Sequence, residues 1–379
     1  MTSHGVPRGS GIQPTTDQDR RKEQQKIRDY KGLVESVNSR VSLLCDVILS
    51  RLTPTSIREH QYNVETLELT SKLLKSNPEY FTIWNHRRLI MQHFFEQDSN
   101  QTSRTTGDQN QKAVVDMIDD DLAFLLPLLR KFPKCYWIWN YRLWLLEESM
   151  HFLSAAEARK LWQQELALAG KVLSLDSRNF HGWGYRRTVV QALDGAVLEG
   201  EDSSTSMTEQ EFIYTTKMIN TNLSNFSAWH TRSKLIPRLL NERRADNEAR
   251  KNFLDEELEL IQRALWAGSD DQSLWFYHQY LMSTFDPRYA RDSIAPDLTA
   301  DERVKYVAQE FDRVQEMLDG AEDCKWIYQS LIQLSILYKS LITNCPVKAS
   351  SVQTWIDELL RLDPLRAGRW NDLKSSLDN

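Results

Sequence analysis

Long apolar runs, paired cysteines, a basic excess and nucleotide- or metal-binding motifs are all missing from this 379-residue chain. No stretch approaches the roughly 18 apolar residues of a bilayer-spanning helix, so no membrane span is expected. The N-terminus has no apolar run either, which predicts no signal peptide. The net charge of −6 argues against nucleic acid as a partner, because phosphate neutralisation needs a basic face. The four cysteines (Cys45, Cys135, Cys324 and Cys345) show no CxxC spacing and read as reduced, mostly buried thiols of a cytoplasmic protein. Neither HExxH nor a Cys/His cluster occurs, so no metal site built by this chain alone is expected. GxxxxGK[ST], GxGxxG after a strand and GxSxG are absent too. These exclusions point to a scaffold and leave no self-contained enzyme signature.

What is present is periodic. Trp84, Trp139, Trp183, Trp229, Trp275, Trp326 and Trp370 recur at intervals of 44 to 55 residues. Arg87, Arg142, Arg186 and Arg232 stand three places after the first four, and His278 takes that place after Trp275. Such a period marks stacked supersecondary units, none of which buries its own apolar face. Leucines of the first repeat (Leu67, Leu69, Leu73 and Leu74) run up to Asn77-Pro78, where proline pushes its predecessor out of the α region. A second helix follows with Trp84 and Arg87. Proline precedes tryptophan by six at Pro78, Pro133 and Pro364, with Ser177 and Leu223 in that place in two other repeats. Helix-break-helix is therefore the unit, and no credible strand run appears.

The chain divides into a flexible N-terminal arm (1–19) and a single helical solenoid (20–379), helical from Arg20 onward. Two polar, turn-rich inserts, 97–112 and 194–206, read as loops between repeats. Asp121, Glu165, Glu211 and Glu257 stand 18 residues before a repeat tryptophan and 21 before the arginine or histidine position. Acid and base thus sit on the two helices of one hairpin. A buried arginine needs a partner, so they are expected to pair within the hairpin or with its neighbour. The repeat tryptophans and arginines are read mainly as framework.

The repeat cores are NPEYFTIWNHRRLI (77–90), FPKCYWIWNYRLWLL (132–146), DSRNFHGWGYRRTVV (176–190), LSNFSAWHTRSKLI (223–236) and DDQSLWFYHQYLM (270–282). They resemble the repeats of the protein prenyltransferase α-subunit family, with a shared form of aromatic, two or three residues, Trp, two residues, Arg. The resemblance implies an all-α fold, a right-handed α-α superhelix of about seven hairpins wrapped as a crescent around a separate β subunit. That β subunit would carry the zinc and the isoprenoid diphosphate. HGVPR (4–8) and LDPLRAGRWNDLKS (362–375) are similar to the type II branch, the Rab geranylgeranyltransferases. Trp137 stands where CaaX-directed α chains carry a glutamine. The length resembles the compact fungal form.

The implied activity is transfer of geranylgeranyl from geranylgeranyl diphosphate to C-terminal cysteines of Rab GTPases presented by Rab escort protein. Lys134 matches the lysine that stabilises the departing diphosphate. Tyr136, Asn179 and His181 match residues bordering the active site, with Phe180 in place of the usual tyrosine. His4, on the arm, could reach the β-subunit zinc as a fourth ligand, blocking or regulating the site. Two alternatives stay open: the α subunit shared by farnesyltransferase and the type I enzyme, and a nonenzymatic helical-repeat adaptor.

Overall fold

The computed structural model describes residues 62–100, 107–195, 206–343 and 345–378, with Gln25 and Arg28. Gln25 and Arg28 are helical and joined by a 3.1 Å side-chain hydrogen bond. The arm at 1–19, His4, Cys45 and most of the helix expected from Arg20 lie outside the described residues, as does 196–205. Every described element is an α-helix or a short 3-10 turn, and no strand occurs among the described residues. The all-α expectation is met.

Two compact units divide the chain, one ending at Thr205 and one beginning at Ser206. Among the described residues the first holds three hairpins: α1 (Val64–Ser76) with α2 (Phe81–Asn100), α3 (Gly107–Lys131) with α4 (Tyr136–Phe152), and α5 (Ala155–Leu175) with α6 (Phe180–Leu193). The second holds α7 (Thr208–Thr221) with α8 (Phe226–Glu242), α9 (Asn247–Ala267) with α10 (Gln272–Met282), α11 (Ala300–Glu316) with α12 (Lys325–Leu341), and α13 (Ala349–Leu362) with α14 (Ala367–Asp378). The insert at 97–112 differs from its reading as a loop. Helix α2 runs on through Asn100 and α3 begins at Gly107, leaving 101–106 outside the described residues. Polar composition alone does not stop a helix. Only glycine, proline or a competing cap does, and the insert's single glycine sits where α3 starts.

Helix starts follow side-chain capping. Asn63, Ser154, Asn179, Asn225, Asp246 and Asp271 each accept a backbone N–H from the first turn they precede. Thr299 and Glu302 form a reciprocal capping box ahead of α11.

The six-residue spacing before tryptophan has a direct cause. The indole N–H of Trp84 donates to Pro78 O at 2.8 Å, Trp139 to Pro133 O at 2.9 Å, Trp183 to Ser177 O at 2.9 Å, and Trp229 to Leu223 O at 2.8 Å. Trp275 does the same to Ser269 O at 2.5 Å. The acceptor is a backbone carbonyl, so its side chain is free to vary. In the sixth hairpin the register differs from the one read from tryptophan. Tyr328, not Trp326, is the fourth residue of its helix, and its hydroxyl donates to Glu322 O, six residues back, at 2.9 Å. Trp370 is 1 % exposed, yet its indole N–H finds no acceptor among the described residues.

Charge pairing across hairpins is the second repeated device. Arg87 pairs with Asp121, Arg142 with Glu165, Arg232 with Glu257, and His278 with Glu310, all nearly inaccessible to solvent. Each base sits on the second helix of one hairpin and each acid on the first helix of the next. The pairing is therefore with the neighbour, one of the two arrangements expected. Within its own hairpin the acid accepts from a tyrosine instead. Tyr141 donates to Asp121 at 2.7 Å, Tyr185 to Glu165 at 2.6 Å and Tyr277 to Glu257 at 2.5 Å. The same tyrosines receive the preceding tryptophan ring, with centroids at 4.9 Å (Trp84–Tyr141), 5.1 Å (Trp139–Tyr185) and 4.6 Å (Trp229–Tyr277). Burial favours loss of the proton from an arginine, but the carboxylate beside Arg87, Arg142 and Arg232 outweighs it and raises each guanidinium pKa.

Where histidine replaces arginine the carboxylate gains further donors. Glu310 accepts from Gln262 at 2.6 Å and from Arg313 at 2.7 Å, and faces His278 Nε2 at 3.3 Å. Burial pushes its pKa up, but the bonds and charge of His278 and Arg313 outweigh that and leave it below the ordinary value of 4.5. A depressed folded pKa gives stability that is complete above the unfolded value and lost as pH falls through the folded one. Glu310→Gln is thus expected to lower urea stability by about 1–3 kcal/mol near neutrality. That deficit should shrink below pH 4.5. A deficit unchanged down to the acid-unfolding range would refute this account.

Candidate functional site

In the first unit a four-residue turn joins α3 to α4, closed by Cys135 N–H on Phe132 O at 3.0 Å, and it carries Lys134. Its backbone is held from two sides. Pro133 O accepts the Trp139 indole at 2.9 Å and the Asn179 amide at 3.2 Å. The Lys134 side chain is exposed, and among the described residues no ion pair or hydrogen bond engages its ammonium. A fixed backbone thus offers a cation with no ion-pair partner among the described residues, although the Glu79 carboxylate lies against the neighbouring Cys135.

Tyr136 opens α4 and is 54 % exposed. His181, second residue of α6, lies with its ring centroid 6.1 Å from that of Tyr136. Asn179 is buried. Its carbonyl oxygen accepts Gly182 N–H at 2.9 Å, while its amide reaches Pro133 O. It thereby fixes both the start of the helix bearing His181 and the turn bearing Lys134. The Tyr136–His181 ring contact and the Asn179–Pro133 bond bring together the two turns that carry Lys134, Tyr136, Asn179 and His181, whereas His4 lies outside the described residues.

Aromatic rings continue this face. Phe81, Tyr136 and Phe180 each open the second helix of a hairpin and each is at least half exposed. Trp137 links Phe81 (5.8 Å) to Tyr136 (5.5 Å), and His181 leads on to Phe180 (5.7 Å). The exchange of glutamine for Trp137 does not by itself reveal this contact. Its bridging position between hairpins is a tertiary fact that pair spacing does not carry. In the second unit Phe226 and Phe276, at 6.1 Å from each other, repeat the pattern of exposed rings. The first turns of α2, α4 and α6 contain no acid of their own.

The face is open. Cavities of about 470 and 420 Å³ exist, but their linings contain neither Lys134 nor Tyr136 nor His181. Apolar burial raises the Cys135 thiol to about 11, which makes it a poor nucleophile. No group of three or more His, Cys, Asp or Glu among the described residues has metal-holding geometry. No described helix is long and apolar enough to cross a membrane. The arrangement offers a cation and exposed rings to an anion laid against an open surface.

Comparison with known proteins assigns the architecture. The protein prenyltransferase alpha subunit repeat matches residues 64–94, 118–149, 162–193, 208–239 and 254–285, which fall on the first five hairpins. The geranylgeranyl transferase type-2 subunit alpha of Saccharomyces cerevisiae is 30 % identical over 375 residues, covering 97 % of both chains. The chain belongs to the protein prenyltransferase alpha subunit family. A second member of that family, the type-2 subunit alpha of Schizosaccharomyces pombe, is 33 % identical over 94 % of both chains. That of Rattus norvegicus is 36 % identical over 223 residues, which is 58 % of this chain and 34 % of the rat protein. Within the family's repeat, the buried arginine, tyrosine and carboxylate described above make up the joint between hairpins.

Proposed function

We propose that this chain is the α subunit of a heterodimeric type-2 geranylgeranyl transferase, acting in the cytoplasm with a prenyltransferase β subunit. The substrates are geranylgeranyl diphosphate and the C-terminal cysteines of Rab GTPases presented by Rab escort protein. The single observation that carries the reading is the unpaired, backbone-fixed Lys134 on an open aromatic face, in a chain related along nearly its whole length to type-2 α subunits. An open half-site accounts for the need for a second subunit.

In the reaction, sulfur bonds to C1 of the isoprenoid as the C1–O bond breaks, and the bonding pair leaves on the diphosphate oxygen. Zinc held by the β subunit would keep the cysteine as its thiolate, the thiol proton having gone to solvent before transfer. This chain's own contribution is electrostatic. The Lys134 ammonium is aimed at an oxygen whose negative charge grows as the bond breaks, so it favours the transition state over the bound substrate. His181 and Tyr136 border the same space, and Asn179 keeps the turn and helix in register. The rings around them offer an apolar surface to the partner and the isoprenoid.

The test is co-expression with a candidate β subunit, followed by prenylation of a Rab GTPase with and without escort protein. A stable heterodimer that geranylgeranylates escorted Rab, with the isolated chain inactive, is the expected outcome. Efficient prenylation of a free CaaX peptide would instead assign the farnesyl or type I class. Failure of any β subunit to co-purify would leave a nonenzymatic adaptor.

A further inference from the structure

Adjacent arginines on α2 have opposite surroundings. Arg87 is buried against Asp121. Arg88 is half-buried over the rings of Tyr141 (5.9 Å) and Trp144 (5.6 Å), and it has no carboxylate partner among the described residues. Its Nε is buried without an acceptor. One of its terminal nitrogens donates to Asn140 Oδ1, and the Asn140 amide in turn donates to the Tyr136 hydroxyl at 3.4 Å. A cation, an amide and a phenol thus form a directed chain ending at the exposed ring of Tyr136, two residues from Lys134. Glu147 and Glu148 act on it only through space, and holding a guanidinium partly out of water with no carboxylate in ion-pair contact costs stability. Burial accordingly lowers the Arg88 pKa.

We infer that Arg88, acting through Asn140, holds the Tyr136 hydroxyl as a hydrogen-bond acceptor, so that its own proton points outward to the diphosphate oxygen that takes the departing pair. The inference rests on the function proposed above. A phenol has one proton and two lone pairs. If the amide occupies a lone pair, the remaining O–H is oriented and polarised for an anion. The asparagine cannot be turned the other way, because its oxygen is claimed by an arginine that only donates. Arg88 and Asn140 are positioning residues, since neither needs to touch substrate.

A double-mutant cycle in the heterodimer tests this, with single-turnover transfer to escorted Rab and the melting temperature as readouts. Tyr136→Phe should slow transfer roughly tenfold, the loss of one charge-assisted hydrogen bond. Arg88→Met, which keeps the stem over the rings, should slow it severalfold in the wild type and by less than about twofold in the Tyr136→Phe background. Arg88→Lys should restore part of the rate. Multiplying effects would overturn the relay, as would a fall in melting temperature with transfer unchanged. Transfer at the wild-type rate by Tyr136→Phe, while Lys134→Ala is defective, would sink the relay alone. A wild-type heterodimer that transfers no geranylgeranyl would sink the proposed function and this inference with it.

Discussion

Replacing Lys134 with alanine is expected to slow geranylgeranyl transfer by about 10²–10³, the usual cost of deleting one preorganised electrostatic contact to a developing oxyanion. The heterodimer should still assemble, because the Lys134 ammonium engages nothing within this chain's described residues. The turn should also survive, since Pro133 O keeps Trp139 and Asn179 as donors. Binding of geranylgeranyl diphosphate should weaken by less than the rate falls, because the interaction strengthens as charge builds on the leaving oxygen. Single-turnover rates and diphosphate affinities measured side by side decide the matter. A variant that assembles and turns over at full speed would remove Lys134 from the mechanism.

Glu165→Ala is expected to destabilise the chain by about 3–5 kcal/mol, as breaking one side of a buried ion pair does. The carboxylate accepts Arg142 Nε at 2.9 Å and the Tyr185 hydroxyl at 2.6 Å, and both of those groups are buried. Removing it strands a guanidinium and a phenol at once. The triple replacement Arg142→Met, Glu165→Leu, Tyr185→Phe should recover most of the loss, because well-packed apolar groups need no partner. Urea unfolding followed by tryptophan fluorescence reports both. A single variant within about 1 kcal/mol of wild type would mean that the clasp contributes little.

Much of this architecture was legible in the chain, and the gaps have physical causes. The constant 21-residue step between acid and arginine suggests a partnership within one hairpin as readily as between two. The structure shows that the constant quantity is a 20-residue step from acid to tyrosine inside a hairpin. Arginine and its true partner lie 34, 23 and 25 residues apart, and the histidine pair 32, because the links between hairpins differ in length. Spacing within a unit is conserved by geometry, whereas spacing between units carries no such constraint. The same step would have found the sixth hairpin. Glu310 stands 18 residues before Tyr328, but the eye goes to Trp326 instead. Proline misleads in the other direction. Pro78 ends a helix as expected, yet Pro127 and Pro237 lie inside α3 and α8. At the site, Lys134 and His181 could be named only through family likeness. The Arg88–Asn140–Tyr136 chain spans two hairpins, and nothing in the local pattern marks it.

Because each cation is answered by a carboxylate of the following hairpin, no clasped repeat is electrically self-contained. Nicking the chain between Leu153 and Ser154 would leave Arg142 on one fragment, and Glu165 with Tyr185 on the other. The two cut ends would be complementary in charge as well as in shape, and each would be worse off alone than rejoined. Severed halves of the first unit should therefore find each other again, and a protease nick at that site need not separate them.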